Sequence, residues 1–140
     1  MHTPLSHLAA VLVCSGICTS ATAVDLTITA KGVASDKGKI LVAVYSKAGD
    51  WLKTPAHVAE AAAVRPSTSL TVKGLVPGNY AVLVFQDENG NEDLDTNVLG
   101  IPTEPYGFSN DAMGAFGPPS FEKATVKVGS ENLSINIQLH

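Results

Sequence analysis

The sequence predicts an all-β protein, a single antiparallel β-sandwich of about seven strands. Three observations predict it. Beyond residue 23, apolar residues recur with period two along nearly the whole chain, the spacing that buries one face of a strand. These short runs are separated by Gly, Pro, Asn and Asp, the residues that turn a chain. The 140 residues are 45% hydrophobic and 16% charged, enough apolar material for one domain with its own core and too little charge for disorder.

The first element is a leader. "MHTPLSHLAAVLVCSGICTSATA" contains no Asp, Glu, Lys or Arg. Leu8 to Cys18 is an apolar run of signal-peptide length, too short to span a bilayer as a mature helix. Ala21-Thr22-Ala23 is an A-x-A cleavage site, although His2 and His7 stand where Lys or Arg usually precede the apolar run. The expectation is a cleaved signal over 1–23, a single domain over 24–140, and a periplasmic or secreted protein without a transmembrane segment in the mature chain. Cys14 and Cys18 leave with the leader; Val13 and Ile17 before them are not the small residues a lipidated cysteine needs. The mature chain would have no disulfide and no thiolate, so it must be held by its core, helped at most by a bound ion.

The strands follow in order. "VDLTITA" puts Val24, Leu26, Ile28 and Ala30 on one face. "KILVAVYS" is apolar on both faces, as a central strand is, and Gly32 to Gly38 is its turn. "TPAHVAEAAAVRP" offers Thr54 as N-cap, Pro55 at the first helical position and an alanine run. It reads as a short helix at 55–62 leading into a short strand at Ala62 to Arg65. "SLTVKG" alternates, "NYAVLVFQ" is again two-sided, and "FEKATVKV" and "NLSINIQL" close the sandwich.

Between two of these runs stands "GLVPGNY". Pro77-Gly78 fits a type II turn with Gly78 at positive φ. Tyr80 is placed to bond back across it, like a tyrosine corner. The L-x-P-G-x-Y arrangement resembles the transthyretin-like and collagen-adhesin B-type sandwiches of secreted proteins. That likeness implies an immunoglobulin-like or transthyretin-like fold and carries no catalytic role.

The densest chemistry lies in "FQDENGNEDLDTN". Five of the nine residues from Asp87 to Asp95 are acidic and two more are asparagines. Asp87, Asn89 and Asn91 have the i, i+2, i+4 spacing of a calcium loop, Asp93 can add a carbonyl and Asp95 a carboxylate. The pattern departs from an EF-hand at Glu92, where Gly is usual, and at Val98, where a bidentate Glu is usual. A further ligand would have to come from Glu104 or Asp111. Asn89-Gly90 is also a type I′ hairpin signal, so the same residues read as a plain acidic turn. A third reading pairs two of Asp87, Asp95 and Glu104 as the acid and base of a glycosidase, which needs a cleft of set width.

Elsewhere catalytic signals are poor. His57 and His140 are isolated, and there is no G-x-S-x-G, phosphate loop or H-E-x-x-H. The net charge of -4, with basic residues scattered singly, argues against nucleic acid. The long Gly/Pro-rich stretch from Leu99 to Ser120 carries Tyr106, Phe108 and Phe116. Exposed, such rings could stack on sugars or grip a peptide; folded inward, they would cap the sandwich end. The expectation is the cap; both readings hold if Tyr106 faces out and Phe108 faces in.

Taken together, "GKILVAVYS", "GLVPGNYAVLVFQDENGN", "LDTNVLGIPTEPYGFSN" and "FGPPSFEKA" behind a signal peptide resemble the bacterial domain-of-unknown-function family DUF2141, from about Leu26 to Leu139. Members usually carry Gly where this chain has Glu92. The resemblance implies an exported small β-sandwich and transfers no catalytic residue. The matched positions Asp87, Asn89, Asn91, Asp95, Glu104, Tyr106, Phe108 and Asn110 are the places to look for a site. The reading that results is a non-enzymatic binding or structural module of the cell envelope, with calcium stiffening the acidic loop. Its partner would be an envelope component, a polysaccharide or a peptide. The rivals are a polysaccharide hydrolase and a ligand-free structural sandwich.

Overall fold

Alternation becomes architecture when two sheets bury one face against each other. The computed structural model describes residues 20 and 22–140; most of the expected leader, with Cys14, Cys18 and Ala21, lies outside them. The strands are β1 (Val24–Lys31), β2 (Lys39–Tyr45), β3 (His57–Ala62), β4 (Ser67–Leu75), β5 (Gly78–Asp87), β6 (Tyr106–Phe108), β7 (Thr125–Val128) and β8 (Leu133–Gln138), with one helical turn, α1 (Phe121–Ala124), before β7. The first sheet is ordered β4-β1-β8. In the second, β3, β2 and β5 run side by side, and the far edge of β5 is shared by β7 at Gly78–Ala81 and β6 at Leu83–Phe85. Pairing is antiparallel except between β1 and β8, which run parallel.

The core between the sheets is built from the positions that the period-two pattern marks. Leu26, Ile28, Ile40, Val42, Val82, Val84 and Ile137 are all fully or almost fully buried there. The two-sided strands β2 and β5 carry a second cluster on the outer face of their sheet: Tyr45, Leu83, Phe85 and Phe108. Trp51 packs edge-on against Tyr45 and Phe121, and its Nε1 donates to the Pro119 carbonyl at 2.9 Å. Phe108 and Tyr106 of the long loop therefore cover part of a sheet face. Phe108 faces in, Tyr106 is half-buried, and Phe116 is fully exposed at 106%.

Three expectations are corrected. The segment at 55–62 is no helix: residues 57–62 form β3, which pairs antiparallel with β2 from Val44↔His57 to Lys39↔Ala62. The edge of β2 needs a hydrogen-bonding partner, and Ala59 and Ala61 fit against the core while Val58, Glu60 and Ala62 face out. Tertiary pairing outweighs the alanine propensity. The helical turn lies instead at Phe121–Ala124, inside the run read as one strand, capped by Ser120 Oγ, which accepts from the Lys123 N–H. The positive φ expected at Gly78 belongs to Gly74 (φ 78°). There β4 sets two residues, Lys73 and Gly74, against the single Asp25 of β1, a β-bulge. Leu75 to Gly78 then crosses from the first sheet to the second, and Tyr80 Oη donates to the Val76 carbonyl at 2.7 Å, the corner that the sequence suggests.

Polar anchors set the turns. Gln86 is fully buried; its Nε2 donates to the Ser35 and Lys37 carbonyls, and its Oε1 accepts from the Ala34 N–H. Asp36 accepts from the Arg65 backbone N–H and from its guanidinium, which together hold its carboxyl below the ordinary value of 3.8.

Candidate functional site: an apolar groove beside the acidic loop

The acidic loop leaves the end of β5 and is held from beneath by two carboxylates. Asp87 is buried (1% exposed), and its oxygens accept the N–H groups of Gly90 at 2.7 Å and Glu92 at 2.9 Å. Glu104, also buried, accepts from the N–H of Glu88 at 3.0 Å and of Asp95 at 3.1 Å. Above them runs a ladder of Asx turns: Asn89 Oδ1 accepts from Asn91 N–H, and Asn91 Oδ1 from Asp93 N–H. The Nδ2 groups of Asn89 and Asn91 both donate to Asp95.

These side chains face one another and the backbone. Asp87 and Glu104 are committed to main-chain N–H groups and Asp95 to two amides. Asp93 and the carboxylates of Glu88 and Glu92 are exposed. Among the described residues, no group of three or more His, Cys, Asp or Glu side chains is placed to share a metal ion.

The next loop presents apolar side chains. Asn97 Oδ1 accepts from the N–H groups of Leu99 and Ile101, and its own N–H donates to the Ile101 carbonyl. Thr96 bridges Pro102, and Thr103 N–H donates to the Asp95 carbonyl. A loop so fastened turns Val98, Leu99 and Ile101 outward, and Met113 and Phe116 are exposed as well. Single exposed apolar residues are ordinary, but Leu99, Ile101 and Phe116 line one cavity together.

Between these loops and the outer face of the second sheet lies a groove. One part, about 490 Å³, is lined by Leu99, Ile101, Tyr106, Phe108 and Phe116 and carries no charged side chain. The other, about 640 Å³, has Leu41, Ala43 and Phe85 on its floor and Glu60, Glu92 and Asp93 on its walls, with Lys53. Leu52, Leu83 and Leu94 line both parts and join them. Glu60 is paired with Lys39 at 2.7 Å. That hydrogen bond, then the charge of Glu60, raises the Lys39 ammonium above its ordinary value.

Of the residues expected to form a site, Tyr106 and Phe108 line the groove. Glu104 instead fastens the acidic loop. Asn110, at φ 61°, donates to the Lys123 and Thr125 carbonyls and fixes α1 to β7. Asp111 accepts from the Gln138 N–H, a backbone role on β8. His57 sits beside the Tyr80 ring, and His140 pairs by its backbone with Tyr106. Leu52, Leu83 and Leu94 went unnoticed in the sequence because an apolar residue on a two-sided strand or in a loop looks like core. The run Val98-Leu99-Gly100-Ile101, aliphatic yet inside a turn-rich loop, was the available signal.

Fold and groove define a class: a two-sheet β-sandwich with an open apolar groove on one outer face. The chain belongs to the family described as "Uncharacterized protein conserved in bacteria (DUF2141)", whose model matches residues 28–136. Neither a curated protein nor a solved structure matches it.

Proposed function

We propose that this chain is an exported, non-enzymatic binding module of the bacterial cell envelope, and that its ligand seat is the groove on the outer face of the second sheet. The observation that carries this is the rigid display of Val98, Leu99, Ile101 and Phe116 beside a cavity lined by Leu83, Leu94 and Tyr106. Export rests on the apolar Leu8–Cys18 run and the A-x-A motif that ends at Ala23. Among the described residues no helix is long and apolar enough to cross a membrane.

The test is a neutral solvatochromic dye. Nile red should brighten on mixing with the protein. The double variant Leu99→Ser/Phe116→Ser should bind it at least fivefold more weakly, because two exposed apolar walls are lost. Its unfolding free energy in urea should stay within about 0.5 kcal/mol of the parent, since both side chains are exposed. Dye binding unchanged in that variant would place the seat elsewhere.

Calcium enters the proposal as a stiffener of the acidic loop through Asp87, Asn89, Asn91, Asp93 and Asp95. Support lies in the ligand spacing, and binding would have to exchange the Asn89, Asn91 and Asp95 hydrogen bonds for ion–oxygen bonds. An extracellular-type site of about 10⁻⁴ M would add about 1.4 kcal/mol at millimolar calcium, a rise in Tm of about 5 °C. The rise should occur in CaCl₂, not in MgCl₂ or EDTA, and vanish in Asp95→Ala. Coincident melting curves would leave the hydrogen bonds as the loop's only frame.

A further inference from the structure

The two parts of the groove differ in one respect that bears on the ligand. The part lined by Leu99, Ile101 and Phe116 has no charge, whereas the part under the acidic loop has carboxylates on its wall. Glu60 is paired with Lys39, whose ammonium also feels the charge of Glu92, and Glu92 and Asp93 line the cavity with Lys53. Glu88 and Asp95 stand on the same loop, so the field at this end is negative. Glu92 has a left-handed backbone (φ 64°), a conformation that glycine adopts more freely than a residue with a Cβ. Leu52, where the two parts meet, is strained in the same way (φ 57°).

We infer that the groove takes a basic amphipathic peptide segment: its cationic side chains lie against Glu92 and Asp93, and its apolar ones over Leu52, Leu83 and Leu94 towards Leu99 and Phe116. The inference rests on the groove being the ligand seat and adds the chemistry of the occupant. An acidic or purely apolar ligand would leave the carboxylate wall repelled or desolvated without a partner. An extended segment suits an open groove of two joined parts, with alternate side chains falling on its floor and its rim.

Three fluorescein-labelled dodecapeptides test this by polarisation against the whole mature chain: alternating Leu and Lys, alternating Leu and Glu, and alternating Gly and Lys. The Leu/Lys peptide should bind at least tenfold more tightly than either of the others at low salt, and the advantage should shrink in high salt. Glu92→Gln/Asp93→Asn should remove most of the preference for Leu/Lys over Leu/Glu. Asp25→Asn/Glu131→Gln changes the net charge equally but lies on β1 and in the β7–β8 turn, and it should leave the preference intact. Equal losses in the two double variants would mean unspecific attraction to an acidic protein and would overturn the inference. Nile red is measured on the same samples. Dye binding with no peptide preference would sink the basic peptide and spare the groove. Failure of both would sink both.

Discussion

Replacing Gly38 by alanine is expected to cost about 4 kcal/mol of stability. Gly38 has φ +69°, and a Cβ built on it would stand 1.9 Å from the Asp87 carbonyl oxygen and 2.9 Å from Glu88 Cα. A left-handed alanine costs about 1–2 kcal/mol by itself. The remainder comes from driving two backbones apart at the point where β2 begins beside the end of β5, an overpacking that costs about 1–3 kcal/mol. Gly49→Ala is the control: no atom lies within 4 Å of its Cβ position, and it should be nearly neutral. Urea unfolding decides it. A Gly38→Ala loss below about 1 kcal/mol would mean that the turn is free to leave Asp87.

Asp87→Ala should cost about 3 kcal/mol and should be felt in the loop first. Its buried carboxylate serves the Gly90 and Glu92 N–H groups, and hydrogen bonds to a charged acceptor are worth about 1.5–3 kcal/mol each. Asp87→Asn keeps one acceptor oxygen and should lose about half as much. Amide exchange at Gly90 and Glu92 should quicken in both variants by more than global destabilisation explains. Unchanged exchange there would show that the Asx ladder and Glu104 hold the loop unaided. Because a Cβ added at position 38 would press on the carbonyl of the same residue, the two substitutions should not be additive.

The strands that bury one or both faces were legible in the residues. β1 and β8 follow the alternation of "VDLTITA" and "NLSINIQL", and the two-sided runs became β2 and β5, covered on both faces. Short-range chemistry also carried through, as in the Tyr80 corner. What failed is what depends on distant partners. An alanine run has no strand signal of its own, and β3 exists because β2 offers it an edge. Nothing in "NLSINIQL" says that it lies parallel to β1. The same limit applies to the groove: the acidic loop and the aromatic loop are neighbours in sequence, but the Leu52 that joins the two cavities comes from the β2–β3 connection. Its place is set by Trp51 packing on Phe108 and Phe121.

The parallel β1–β8 pair governs when the fold can be completed. β1 is the middle strand of the first sheet, and the contact from the Asp25 N–H to Asn132 Oδ1 spans 107 residues of sequence. A chain made or threaded amino end first therefore carries β1 with one edge open until β8 has followed. Pairings of such separation close slowly, and the open edge is prone to wrong partners while it waits. The Asp25 side chain and the Thr27 and Thr29 hydroxyls, on the outer face of β1, keep that waiting strand from being apolar on both sides. The domain is thus built to close late, after β8 has emerged, rather than strand by strand.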